Sequence, residues 1–438
     1  MATETTTAER LDTPSQVRQA VKAFIDEHWD TSLSLKDWLG RLADSGWAVP
    51  QWPVQWYGKG LTNDLAAVAY DEFKAIMAPG PPAGLSRMLA APTIISHGTD
   101  EQRSSYVRRI LVGDDAWCQL FSEPGAGSDL ASLSTRAELD GDEYVVNGQK
   151  VWTSGAMGAD VGMLIARTDP DAVKHAGITY FAIEMDQPGI EVRPLRQITG
   201  EAHFAEVFLT DARVSADNIV GGLNNGWNVA RTTLANERVG LGGGGSLGFP
   251  LSAPGGRRSA QALEQSVGEF VESQRRAATG GRVPAMMMVR NGEALAKMAK
   301  SMGRDQDPSV RQGIARVHAL TSLNRWNTLR ARAAVEAGGR PGPEASLGKL
   351  MVSRITRMSR DVGMEIAGPQ GMLAGEDGPL HGALALQFLG APAPSIYGGS
   401  DEVQHNIIGE RVLGLPREPD TSKDVPFRQL RTGTQSAQ

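Results

Sequence analysis

"WCQLFSEPGAGSDLASLSTRAELDGDEYVVNGQKVWTSGA", residues 117–156, is where the chain changes its texture. Upstream, from Thr13 to about Trp117, "SQVRQAVKAFIDEHW" and "LKDWLGRLADSGW" place apolar residues three and four apart with Ser or Asp near their starts, the pattern of amphipathic helices. Within the stretch and on to about Asp217, short β-rich runs take over ("EYVVNGQKVWTS", "VGMLIART", "ITYFAIEM", "AEVFLTDARV"), broken by Gly, Asp and Pro turns. From about Trp227 the helical period returns in "GWNVARTTLANERV", "EALAKMAKSM", "QGIARVHALTSLNRWNTLRARAAVEA", "ASLGKLMVSRITRMSRDVGMEIA" and "DEVQHNIIGERVL". The expected fold class is therefore α+β, mainly α: a helical domain over 1–117, an antiparallel β domain over 118–226 and a helical bundle over 227–418. Residues 240–259, "GLGGGGSLGFPLSAPGGRRS", read as a mobile linker, and 419–438 as a disordered tail.

Bulk properties exclude several classes of function. The 438 residues are 41% hydrophobic and 21% charged, with net charge −6, so no concentrated basic face exists for nucleic acid. The single cysteine, Cys118, rules out an intrachain disulfide and a CxxC site. The polar start "MATETTTAERLDTPSQ" lacks the apolar core of a signal peptide, and no run of about eighteen apolar residues occurs, so neither export nor a membrane span is expected. A reducing cytoplasm is the expected location. None of the seven histidines has metal-ligand spacing. Gly240-Leu-Gly-Gly-Gly-Gly245 satisfies G-x-G-x-x-G, but it follows a helix instead of a strand, so it reads as a helix end and not as a nicotinamide site.

Chemistry is concentrated in the opening stretch. The turn "SEPGAGSDL" needs small residues, among them Gly127, so that backbone amides and the Ser122 and Ser128 hydroxyls can approach a ligand edge or a pyrophosphate. Trp152 and Ser154, one residue apart in a strand-like run, would point to one face, an aromatic and a hydroxyl against the same ring system. The bland readings are a turn that is only a turn and a tryptophan that is only core.

The stretch closely resembles the signature of the acyl-CoA dehydrogenase family, and the likeness extends to "WPVQWYGKGL", "ISHGTDEQRSSYVRRILVGDDAWCQLFSEPGAGSDLA", "VFLTDARVSADNIVGGLNNGW" and "NIIGERVLGLPRE". That resemblance implies an N-terminal helical domain, a middle β-barrel and a C-terminal four-helix bundle, with FAD between barrel and bundle and part of its site supplied by a neighbouring subunit. It implies that Ser122, Gly127, Ser128, Trp152 and Ser154 contact the cofactor, joined by Gly399, Ser400 and Glu402. An N-cap role for Ser400 or Asp401 stands beside that reading. The implied reaction is α,β-dehydrogenation of an acyl-CoA, with electrons passing to an electron-transferring flavoprotein.

In many members the catalytic base is the residue after the tyrosine of the motif that reads "IYGGS" here, and that residue is Gly398. Relatives resembling isovaleryl-CoA and long-chain dehydrogenases carry the glutamate on the first long bundle helix, before an arginine. Here "TTLANERVG" gives Glu237 followed by Arg238. The resemblance thus assigns the base to Glu237, a backbone N–H donor to Gly398 and an organising role to Arg238; the bland reading of Glu237-Arg238 is a solvated surface pair. A carbon acid requires a carboxylate made more basic by a dry site.

The chain also departs from the family pattern. "KSMGRDQDPSVRQG" replaces the Arg-x-x-Phe-Gly segment, leaving Arg304 and Gln312 as candidates for its cofactor contacts. Glu365 stands where glutamine is usual in "EIAGPQG", and Lys59 replaces a glycine in "WYGKG". Met286, Met287 and Met288 read as core filling, with a substrate mouth as the alternative. Expected partners are an acyl-CoA, the flavoprotein acceptor and further subunits, as a homodimer or homotetramer or as a heterotetramer with a related chain. Rival functions are a half-site subunit and an oxidase or desulfinase on the same fold.

Overall fold

A computed structural model describes residues 11–241, 248–279, 291–337, 342–343, 345–419 and 423–430. Met286, Met287 and Met288, and the glycines of the G-x-G-x-x-G match beyond position 241, lie outside the described residues.

One compact unit is built on the N-terminal helices Pro14–His28, Leu35–Ser45, Asn63–Ala75 and Asp100–Val112. Thr13, Ser34, Thr62 and Thr99 cap them, each side chain accepting from the backbone N–H three residues on, which satisfies one otherwise orphaned donor per helix. Their apolar stripes converge on Phe24, Trp38 and Phe73, and the Trp38 indole donates to the Pro79 carbonyl at 2.7 Å. Lys59 lies over the Trp47 ring at 4.5 Å, a cation–π contact that accounts for a lysine in the glycine's place.

This unit also contains residues 248–279, which the periodicity assigns to a linker and the bundle. Phe249 packs on Tyr70 and Phe73, Leu251–Ser252 pairs in parallel with Pro79–Gly80, and the Val267–Thr279 helix is tied down through Val267 N–H to the Leu33 carbonyl. The linker expectation is thus corrected over 248–259. An aromatic anchor buried among aromatics outweighs the Gly/Pro composition around it.

The second unit holds the sheet and the remaining helices. A seven-stranded sheet runs in the order Trp117–Leu120, Val161–Arg167, Arg136–Asp140, Glu143–Ser154, Phe204–Ser215, Ile190–Leu195, with Ile178–Glu184 joined to Val161–Arg167. It is a curled half-barrel and not a closed barrel, and it includes one parallel pairing, Arg136 opposite Arg167. Val161–Arg167 is buried along its whole length, as a strand covered on both faces must be.

The bundle helices are Gly226–Leu241, Gly292–Ser301, Pro308–Glu336 and Ala345–Ala367, with the shorter Ala383–Gly390 and Asp401–Ile407. Ala345–Ala367 is central and packs on the other five, with Ile355, Val362 and Ile366 among its buried residues. Leu295, Met298, Val310, Val317 and Leu384 complete the core, each worth about 1.5–3 kcal/mol of burial for the larger side chains.

The tail expectation also fails in part. Residues 423–430 end in a turn, Phe427–Gln429, whose phenyl ring lies 3.7 Å from the Arg167 guanidinium while Arg428 pairs with Asp171. A buried guanidinium needs a face to lie on, and Phe427 supplies it.

Candidate active site

The Gly226–Leu241 helix begins where it presses closely on a strand. A Cβ on Gly226 would meet the Thr179 and Tyr180 backbone at 2.5 Å, so only glycine allows this approach. Val229, Ala230 and Thr233 face inward, with the Thr233 hydroxyl 3.4 Å from that of Tyr180. Glu237 is one turn beyond Thr233 on the same side and is therefore drawn half inside. Its Oε2 accepts from Gln119 Nε2 at 3.4 Å. Burial raises its pKa above the usual carboxylate range, and the Gln119 bond with the charges of Arg238 and Lys349 offsets part of that rise. Glu237 is not a solvated surface residue.

The "SIYGGSDEVQ" segment is a turn feeding the Asp401–Ile407 helix. Gly398 and Gly399 both lie in the left-handed region, at φ 65° and 82°. Ser400 is the N-cap, accepting from Val403 N–H at 3.4 Å, so of the two alternatives for capping the serine is the cap. Gln404 Nε2 donates back to the Gly398 carbonyl at 2.9 Å and reaches the Gly399 carbonyl at 3.4 Å. Asp401 is buried and receives Arg357 at 2.9 Å, whereas Glu402 is exposed. Lys349, buried on the central helix, donates to the Pro394 carbonyl at 2.6 Å and is within electrostatic reach of both Asp401 and Glu237. One buried cation thus links the turn to the Glu237 helix.

The Gly-rich turn is held from below by an ion pair that the sequence reading missed. Lys150, fully buried, donates to Glu123 and to the Phe121 and Ile165 carbonyls, at 2.9, 3.1 and 2.9 Å. Glu123 also accepts from the Ser134 and Thr135 amides and the Ser134 hydroxyl. Although burial alone would raise it, this set holds the Glu123 carboxyl down to about 2, with the Lys150 charge the largest lowering influence. Above the pair, Gly127 and Ser128 are exposed, and a Cβ on Gly127 would meet nothing within 4 Å. Trp152 is 57% exposed at φ 60°, beside a bulge between Lys150 and Thr153, while Thr153 is buried and Ser154 half-buried. The core reading of Trp152 therefore fails. A left-handed tryptophan is an outlier of the kind that collects at ligand sites.

Family models cover most of the chain: the acyl-CoA dehydrogenase N-terminal domain matches residues 7–114, the middle domain 118–212 and the C-terminal domain 273–413. The chain belongs to the acyl-CoA dehydrogenase family. It is similar to acyl-CoA dehydrogenase IpdE1 of Mycobacterium tuberculosis, 36% identical over 387 residues, or 87% of this chain and 88% of the relative. Among solved structures it resembles the Tcur3481-Tcur3483 steroid ACAD, with TM-score 0.66, 27% identity and coverage of 92% and 98% of the two chains. It also resembles the ChsE4-ChsE5 complex from Mycobacterium tuberculosis, with TM-score 0.62, 27% identity and coverage of 93% and 100%.

Acyl-CoA dehydrogenases are flavin-dependent oxidoreductases, and the exposed glycine turn, the outward Trp152 face and the Ser154 hydroxyl suit a flavin: an open cradle beside a flat apolar wall. The other residues carried over are less gathered. Arg304 is engaged with Asp307 at 2.7 Å, and Gln312 is exposed on the Pro308–Glu336 helix. Glu365 accepts from the Ser309 hydroxyl, which engages the acidic group that stands in the usual glutamine's place. Arg238 is half-buried and stays beside Glu237. Gln119 and Lys349 complete the surroundings of Glu237, and only Lys349 carried a signal: a lysine in register with Ser346 and Ser353 on one helix side. Cys118 is buried, and burial pushes its thiol up to about 12. A maleimide should leave the native protein unlabelled at neutral pH and label it only after denaturation.

Proposed function

We propose that the chain is an FAD-dependent acyl-CoA dehydrogenase whose base is Glu237, acting on a branched or bulky acyl-CoA and passing electrons to an electron-transferring flavoprotein. The observation that supports it best is the half-buried Glu237 with raised basicity, paired with a turn that has glycine at position 398. FAD, when bound, supplies the hydride acceptor. Glu237 takes the α-proton of the thioester, and the Gly398 N–H donates to the thioester oxygen as negative charge develops there. Gln404 and the Ser400 cap fix the turn that aims this N–H. Ser154, Trp152, Ser122, Gly127 and Ser128 hold and cover the flavin, and Gly399, Ser400 and Glu402 complete that side of its site. Arg304 and Gln312 are weaker candidates for the contacts across subunits. With Cys118 buried and reduced, a cytoplasmic setting suits the protein; no helix among the described residues is long and apolar enough to cross a membrane.

The bulky substrate rests on the base position and on relatives named for steroid and acyl-CoA chemistry. Assembly with further subunits is supported by Leu323, Trp326 and Leu329, exposed on one side of the Pro308–Glu336 helix. Solved relatives described as two-component complexes favour a related chain as the partner over a second copy.

The test is to purify the protein, measure bound FAD, and add isovaleryl-, octanoyl-, palmitoyl- and steroid-side-chain CoA thioesters anaerobically. Flavin bleaching by a branched or bulky member supports the reading, and rapid oxygen consumption on admitting air would make it an oxidase instead. A pure chain that lacks flavin and binds it only on mixing with a second acyl-CoA dehydrogenase chain would identify a half-site subunit.

A further inference from the structure

Lys349 is 2% exposed, and a buried ammonium must find acceptors or give up its proton. It donates to the Pro394 carbonyl at 2.6 Å, which Ser353 Oγ also meets at 2.7 Å, and stands 4.0 Å from Asp401 Oδ1. That carboxylate oxygen has no hydrogen-bond partner of its own, while Oδ2 receives Arg357. The turn is therefore gripped at both ends, by Lys349 and Ser353 on Pro394 and by Gln404 on Gly398. The helix bearing Lys349 packs directly on the Gly226–Leu241 helix.

We propose that Lys349, held 4.0 Å from Asp401, is a positioning residue that ties down the turn carrying Gly398 and sets the charge Glu237 faces from across the helix pair. This rests on the reading of Glu237 as the base. Among the described residues, the groups that act on that carboxylate are Arg238 on its own helix, Lys349 from the central helix and the neutral Gln119 from the sheet. Lys349 in turn faces Asp401 and Glu402 from the Asp401–Ile407 helix and Arg357 from its own. Removing the cation makes Glu237 harder to ionise. Neutralising Asp401 acts in the opposite direction, since Lys349 and Arg357 then lose their counter-charge and favour an ionised Glu237.

The experiment follows the Glu237 carboxyl directly by infrared pH titration, in flavin-free and flavin-loaded protein, as the band absent from Glu237→Gln. Lys349→Met should move its midpoint upward and Asp401→Asn downward, and Lys349→Arg should keep it near the wild-type value. Ser353→Ala, which loses a bond to the same carbonyl but no charge, should leave it in place. With the acyl-CoA that bleaches the wild type fastest, Lys349→Met should lose bleaching rate severalfold on the acidic limb, with a smaller change at the alkaline plateau. A wild-type midpoint in Lys349→Met, or an equal shift in Ser353→Ala, overturns the proposal. If Lys349→Met does not fold, an unmoved midpoint in Asp401→Asn overturns it. Bleaching that survives Glu237→Gln is a separate result, since it removes the base assignment itself.

Discussion

Glu237→Gln should lower the anaerobic bleaching rate by about a thousandfold while leaving FAD content unchanged, within the usual range for loss of a general base. Glutamine keeps the shape and can still meet Gln119, but it cannot accept the α-proton. Stability should move the other way. Because burial raises the Glu237 pKa in the folded protein, its ionised form is disfavoured there relative to the unfolded chain. The resulting destabilisation is absent below the unfolded pKa and grows as pH rises through the folded one. Glutamine mimics the protonated form, so the variant should melt no lower than wild type at pH 8. A surface glutamate would show neither the rate loss nor this sign, and a buried but purely structural one would show the sign without the rate loss. Bleaching at the wild-type rate would sink the assignment.

Lys150→Met should be among the most damaging substitutions in the middle domain. Lys150 and Glu123 are both nearly fully buried and bonded to each other and to backbone on three sides. Removing one partner leaves an unpaired charge inside, at a cost of about 3–5 kcal/mol, or a fall in melting temperature on the order of 10 °C. FAD retention should fall with it, because Glu123 belongs to the turn proposed to cradle the flavin. The double variant Lys150→Met/Glu123→Gln should be less harmful than the sum of the single changes, since no charge is then stranded. With the Glu123 carboxyl held down to about 2, the pair's contribution is complete above the unfolded carboxylate pKa and is lost as pH falls toward 2. Additive losses in the double variant would show that the two residues act separately.

Much of this was legible in the chain. The change from period 3.6 to period 2 at Cys118, and back at Trp227, marks the helical, sheet and helical layers because amphipathic burial writes itself into spacing. The motif around Glu237 was legible through residue type: a glutamate one turn beyond a buried threonine, and a glycine where a carboxylate is usual. What spacing could not show depends on distant partners. Phe249 lies in a Gly/Pro-rich run, yet it anchors residues 248–259 because Tyr70 and Phe73 receive it. Phe427 orders part of an apparently loose tail because Arg167 lies buried beneath it. Lys150 and Glu123 look like ordinary surface charges until the fold removes both from water. Trp152 follows the outward alternation, but its left-handed backbone arises from a bulge that no local pattern announces.

The left-handed turn at Gly398 bears on how such enzymes diverge. A side chain at φ 65° costs about 1–2 kcal/mol in backbone strain. A glutamate at 398 would carry that strain. On the proposed reading, with the base on the Gly226–Leu241 helix, a carboxylate at 398 is not regained by a single substitution: the glycine acts as a ratchet, and the turn must be remodelled before a side chain sits there without strain.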